Sequence, residues 1–211
     1  NYLAFFSGST QNVVDNGCPH RLAGPNLASL LIGAGLTFAT YSEDLPEAGF
    51  TGCRYLHYER KHNPAVNWQG VNVPPSANLP LTDFPRDFSK LPTVSFVVPN
   101  QENDMHNGAE PDTIIRGDRW LREKLDAYVR WAQKNDSLLI VTWDEDDGTE
   151  NNRIATLFVG PMVKPGKYAQ RIDHFNVLRT LADMYGIPAP GRSATAAPIF
   201  VMIELAIWGS F

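Results

Sequence analysis

Leu138-Leu139-Ile140-Val141-Thr142-Trp143 is the stretch that most constrains this chain. Four apolar residues followed by Thr and Trp predict a strand buried on both faces, which belongs in a covered, mainly parallel sheet. It runs directly into Asp144-Glu145-Asp146-Asp147-Gly148. Ligand sites in open α/β sheets collect where strands end at their carboxyl edges. Adjacent carboxylates in an acidic chain repel one another unless a cation or hydrogen-bond donors hold them. The segment therefore reads either as a site for a hard or borderline metal ion, or as a solvated acidic turn with Gly148 supplying a positive φ.

The rest of the chain supplies partners for that strand. Asn1–Ser7 reads as the end of a helix closed by Gly8, and Pro25–Gly35 as a helix with proline in its first turn. Leu36–Tyr41 and Thr93–Val98 read as strands, the first ending in Ser42-Glu43-Asp44 and the second in Pro99-Asn100. A long irregular region, Leu45–Leu91, separates them, with a short helix expected over Phe84–Lys90. Trp120, Leu121, Leu125, Tyr128, Val129 and Ala132 follow helical spacing, predicting a helix from Asp118 to Asn135. Ile154–Val159 reads as a further strand, and Asp173 as the N-cap of a helix through Tyr185. Pro198–Phe211 is apolar but only 14 residues long, so it is read as a packed terminal segment. Strands alternating with helices give an α/β class: a mainly parallel central sheet with helices on both faces, in one domain over residues 1–211.

Composition narrows the function. With 18 Lys plus Arg against 23 Asp plus Glu and a net charge of −5, the chain carries no basic block, which argues against nucleic acid as partner. No apolar run approaches the roughly 20 residues needed to span a bilayer. Cys18 and Cys53 lack C-x-x-C spacing and stand either as a disulfide in an exported protein or as two free thiols. The disulfide is the preferred reading, and with it a secreted or periplasmic location. The chain opens at Asn1-Tyr2-Leu3 with neither an initiator Met nor a signal peptide, which reads as a processed chain or a fragment.

Three strand ends carry polar clusters, after Tyr41, Val98 and Trp143, and a parallel sheet brings such ends to one edge. Asp104 and His106 are close enough in sequence to share a site. Asp144 and Glu145, being adjacent, both reach one ion only if the strand has already broken into a loop. Lys61, His62 and Asn63 offer donors to an anion from a loop. The alternative for His106 is a turn histidine bonded to backbone, and for His62 a residue holding its own loop. His174, in the first turn of a helix, is read as structural. Together these oxygen and nitrogen ligands and cationic donors suit metal-assisted hydrolysis of a phosphate ester, with one divalent metal ion as cofactor and a histidine available to protonate the leaving group.

The sequence resembles a bacterial phosphoesterase family of secreted acid phosphatases and non-specific phospholipases C with an alkaline-phosphatase-like fold. The resemblance rests on Asn1-Tyr2-Leu3, on Tyr58-x-Arg60-Lys61-His62-Asn63-Pro64, and on Pro99-Asn100 with Asp104-Met105-His106. Thr142-Trp143-Asp144-Glu145 and Asp173-His174 complete it. It implies metal binding by Asp144 and Glu145, His62 and His106 facing the substrate phosphate as catalytic residues, and a Cys18–Cys53 disulfide. Lys61, Asn63 and Asp104 are then expected to bind substrate. In that family a Glu-Asn metal motif and a Ser or Thr nucleophile lie upstream of the residues matching Asn1-Tyr2-Leu3. On that comparison the domain is N-terminally truncated, and Ser7, Ser9 and Thr10 are the candidates for a nucleophile within these residues.

The expected activity is a metal-dependent phosphomonoesterase working through a phosphoenzyme, on a small phosphorylated substrate or a phospholipid head group. Two alternatives stand beside it. One is a phospholipase C-type phosphodiesterase whose lipid leaving group meets an apolar wall of Phe50, Tyr55, Tyr58 and Trp68. The other is a metal-binding scaffold without catalysis.

Overall fold

In the computed structural model, which describes residues 1–199, helices α1 (Tyr2–Ser7) and α2 (Leu27–Gly33) precede strand β1 (Phe38–Ser42). The short strands β2 (Arg54–Tyr55), β3 (Tyr58–Glu59) and β4 (Asn78–Pro80) follow, then β5 (Val94–Val98) and the long helix α3 (Asp112–Ala132). Strands β6 (Leu139–Thr142) and β7 (Thr156–Val159) lead to helix α4 (His174–Met184). The apolar tail is described only at its start, where Ile199 is fully buried and its backbone N–H donates to Thr180 Oγ1 at 2.9 Å. The remainder of that segment lies outside the described residues.

The fold is α/β, and β1 is its centre. All five of its residues are buried, with β4 on one side and β5 on the other, both parallel to it. Alternate residues point to opposite faces of a strand, and both faces of β1 are covered by helices. Phe38 on one face joins Phe6 of α1, Leu27 and Leu31 of α2, and Leu178 and Leu181 of α4 in the main core. On the other, Tyr41 packs edge-on against Phe84, which touches Phe88, which in turn meets Tyr128 and Trp131 of α3.

The strand expected to be buried on both faces is not. Every residue of β6 is half-buried, and β7 pairs with it antiparallel, Leu139 opposite Val159. The chain between them returns as a loop without a helical crossover, and a parallel neighbour needs such a crossover. Among the described residues β6 bonds only to β7 and β5 only to β1. Their facing edges line one cleft of about 1740 Å³.

Two helix starts differ from the expected ones. Asn26 is the N-cap of α2, so Pro25 lies just outside the first turn expected to hold it, and with Ser29 Asn26 forms a reciprocal capping box. Helix α3 begins at Asp112, well before Asp118, which is an interior residue paired with Arg122 at 3.1 Å. Gly117 lies inside the helix, in its second turn. It is glycine because the side chain of Met105 lies where a Cβ would stand.

Gly8 ends α1 with φ 68°, and its face is pressed against the Pro190 carbonyl. A side chain there meets both a disfavoured backbone region and a backbone oxygen. Gly8→Ala is expected to destabilise the fold by about 1–3 kcal/mol, measured as the shift in urea midpoint at unchanged m-value.

Candidate functional site

Cys18 and Cys53 form a disulfide across a separation of 35 residues. Arg60, only 6 % exposed, sits beneath it. Its guanidinium donates to the carbonyls of His20 at 2.7 Å and Thr51 at 2.5 Å, one near each cysteine, and to Asn67 Oδ1 at 3.3 Å. Burial lowers its pKa. Arg60 thus fixes the short 3-10 turn Arg60–His62 against two otherwise irregular loops. Arg60→Leu leaves buried carbonyls without donors and is expected to cost about 2–4 kcal/mol, read by chemical denaturation. Arg60→Lys restores only part of this, because a lysine cannot reproduce the fork.

Two residues on, His62 is 9 % exposed and reaches the cleft with Lys61. Its Nδ1 lies 3.3 Å from Asp104 Oδ2, both side chains being nearly buried. With a carboxylate oxygen at that nitrogen, the form that suits the contact is Nδ1–H, which leaves Nε2 as the ring nitrogen for a ligand. Asp104 sits in the loop after β5. That loop is built by Asn100, whose side-chain oxygen accepts from the N–H groups of Glu102 and Asn103. Met105 follows with φ 78°, and the other Asp104 oxygen accepts the backbone N–H of His106 at 2.9 Å. His106 is exposed at the cleft, its Nδ1 3.0 Å from Asn107 Oδ1.

Across the cleft, Asp144 and Glu145 follow the end of β6 at Thr142, so the strand has already broken into a loop and both residues line the cavity. The four consecutive carboxylates split by role. Asp146 accepts three backbone N–H bonds, from Gly148, Glu150 and Asn152, and Asp147 accepts from Thr149, with Gly148 at φ 85°. These two hold the turn. Glu145 takes a 2.7 Å hydrogen bond from the Asn1 side-chain amide, and the Asp144 carbonyl accepts from His174 Nε2 at 3.0 Å.

Helix α1 joins the two sides. The Tyr2 ring stacks on His62 at 5.1 Å between centroids, with planes 19° apart. Its phenol is raised well above the ordinary tyrosine value by burial first, then by the charges of Asp144, Asp104 and Glu145. Those three carboxylates therefore bear on one point.

Lys61, His62, Asp104, His106, Asp144 and Glu145 all line this cleft. Asn63 does not line it; it is fully buried and donates to Asn78 Oδ1 at 2.8 Å, tying the loop to β4. The acidic end of β1 is also occupied in scaffolding: Glu43 accepts from Asn100 and Asn103, and Asp44 from Asn100 and His57. Phe50, Tyr55 and Tyr58 cluster with one another away from the cleft, and Trp68 is in the main core. Ser7 Oγ is buried and donates to the Leu3 carbonyl at 2.8 Å.

The sequence reading gave Asn1, Tyr2 and His174 no task at the site. The signal available for Tyr2 was its spacing of four from the core residue Phe6, which puts both on one side of a helix.

A model of the phosphoesterase family matches residues 1–188. The chain belongs to the phosphoesterase family. It is 48 % identical over 212 aligned positions to a phosphatidylinositol-3-phosphatase of Mycobacterium tuberculosis, covering 99 % of this chain and 67 % of that protein. It is 29 % identical to a phosphate-repressible acid phosphatase of Penicillium chrysogenum, over 80 % of this chain and 44 % of that one. A probable acid phosphatase of Kluyveromyces lactis is also 29 % identical, over 91 % and 49 %. The chain thus spans about two thirds of the bacterial relative and under half of these two fungal ones.

Proposed function

We propose that this chain carries the phosphate-handling site of a metal-dependent phosphomonoesterase of the acid-phosphatase kind. The observation that supports this most is that the His62–Asp104 pair and the carboxylates of Asp144 and Glu145 line one cleft. Family membership and phosphatase-named relatives agree with it.

The donor set fits a hard divalent cation. Among the described residues no group of three His, Cys, Asp or Glu side chains forms a metal cage. Ions of the magnesium type are nonetheless held by one or two carboxylates, with waters and substrate phosphate completing the shell. Asp144 and Glu145 would be those carboxylates, and the bound ion would supply Lewis-acid polarisation of the phosphoryl oxygens.

The chain's own residues do the rest. In its doubly protonated form His62, with Asp104 at Nδ1, would donate Nε2–H to a phosphoryl oxygen and pass that proton to the leaving ester oxygen, ending as the neutral ring with Nε2 open. Lys61 adds positive charge beside it, where the developing negative charge needs it. His106 meets the substrate from the exposed side of the loop. Asn63 acts beneath the site by fixing the loop that carries Lys61 and His62. In this reading the phosphoryl group passes through a Ser or Thr ester on the intact protein; of the candidates within these residues, Ser7 Oγ is bonded into α1 and Thr10 lines the cleft. The disulfide supports an oxidising, secreted or periplasmic location.

The test is hydrolysis of an aryl phosphate monoester by the purified protein, with and without chelator, beside a bis-aryl diester and a phosphoinositide monophosphate. Chelator-sensitive monoester turnover is expected. Asp144→Asn and His62→Gln should each lower kcat/KM by about 100-fold or more. Preference for the diester would favour a phospholipase C-type enzyme. Calorimetric metal binding without turnover on any ester would make the chain a binding scaffold.

A further inference from the structure

The first helix and its N-cap place side chains in the cleft, and that of Tyr2 covers the ring of His62. Phe6 is fully buried against Phe38, Trp68 and Phe96, and Phe5 stacks on Phe96 with centroids 5.3 Å apart. Four residues before Phe6 on the same side of the helix, Tyr2 is held where that packing puts it. Its ring lies nearly parallel to the imidazole. The imidazole turns about its Cβ–Cγ bond, and Asp104 Oδ2 at 3.3 Å from Nδ1 is its contact in the ring plane. A flat ring stacked on one face blocks that rotation. Two contacts at right angles, one in the ring plane and one on its face, determine where Nε2 points.

We propose that Tyr2 is a positioning residue for His62, acting through its stacked ring and not through its hydroxyl. Together with Asp104 it fixes the imidazole as the Nδ1–H tautomer with Nε2 facing the cleft. The inference deepens the reading of His62 as the group that meets the phosphoryl ester, and rests on it for its catalytic consequence. The geometric part is independent of turnover.

The test compares Tyr2→Phe, which keeps the stack, with Tyr2→Leu, which removes it. It is read by ¹⁵N NMR of the His62 ring and by steady-state kinetics on the aryl monoester. Asp104→Asn is the reference for loss of the in-plane restraint, and a thermal melt of each variant shows the temperature at which it is folded. Tyr2→Phe is expected to keep a single Nδ1–H tautomer and kcat within about twofold. Tyr2→Leu should show averaged tautomers and a kcat lower by about 10- to 100-fold, the scale set by a misplaced reacting group, with KM changed far less. An unaltered His62 spectrum in folded Tyr2→Leu overturns the proposal. So does a Tyr2→Phe loss as large as that of Tyr2→Leu, which would transfer the role to the hydroxyl. If wild type turns over no ester while its His62 spectrum still depends on the stack, the positioning stands and the catalytic reading of His62 falls.

Discussion

The packing of Phe5 and Phe6 against Phe96, Phe38 and Trp68 is the interaction on which the site depends. A helix of six residues has little stability of its own, since nucleation is costly and only a few hydrogen bonds reward it. Helix α1 exists because its aromatic residues enter the core between β1, β5 and α4. Aromatic pairs of this kind contribute about 0.5–1.5 kcal/mol each beyond the area they bury. The same contacts set the direction of Asn1 and Tyr2, which reach the walls of the cleft from one helical turn. Core packing and site geometry are therefore one interaction here.

Electrostatics sorts the carboxylates that composition only counts. Most of the acidic groups at the strand ends are neutralised locally by hydrogen bonds. Glu43 and Asp44 hold the Asn100 loop, while Asp146 and Asp147 cap their own turn. For Asp146 the backbone N–H of Gly148, with those of Glu150 and Asn152, favours the charged form and lowers its pKa. Asp104, Asp144 and Glu145 instead direct charge toward a common volume beside Tyr2, where burial weakens solvent screening. Such a cluster is stabilised by a cation or by donors brought in with a ligand, which is the reason the proposed site is the cleft and not the acidic turn.

Much of this was legible in the sequence. The core strands Phe38–Ser42 and Val94–Val98 and the Asp173 cap follow from local composition and short-range pattern, and the pairing of Cys18 with Cys53 was the preferred of two readings. The strand Leu139–Thr142 was found, but its burial and partner were not, because an apolar run says nothing of what lies beside it. Helix α3 was entered too late, at Asp118; the residue before it, Gly117, lies inside the helix and is glycine because Met105, distant in sequence, is in contact in space. Asp104 was read as a substrate ligand and is seen against His62, a pairing over 42 positions that no spacing rule reaches. The same limit applies to Asn63, whose partner Asn78 lies in a strand too short to announce itself.

Three of the histidines at the cleft, His62, His106 and His174, differ in what their ring nitrogens meet, and that difference bears on the roles proposed for them. His174 donates Nε2–H to the Asp144 carbonyl, so it orients a peptide and through it the carboxylate that follows. His106 has an amide oxygen at Nδ1 and an exposed ring, which leaves its orientation to a neighbouring side chain and solvent. Only His62 has a carboxylate at Nδ1 and a covered ring face. A carboxylate stabilises the imidazolium that forms when Nε2 takes a proton, as an amide or a carbonyl cannot. Proton transfer at a phosphate ester asks for that stabilisation in a fixed direction. Of the three, His62 alone has both the charge behind it and the stacked wall beside it.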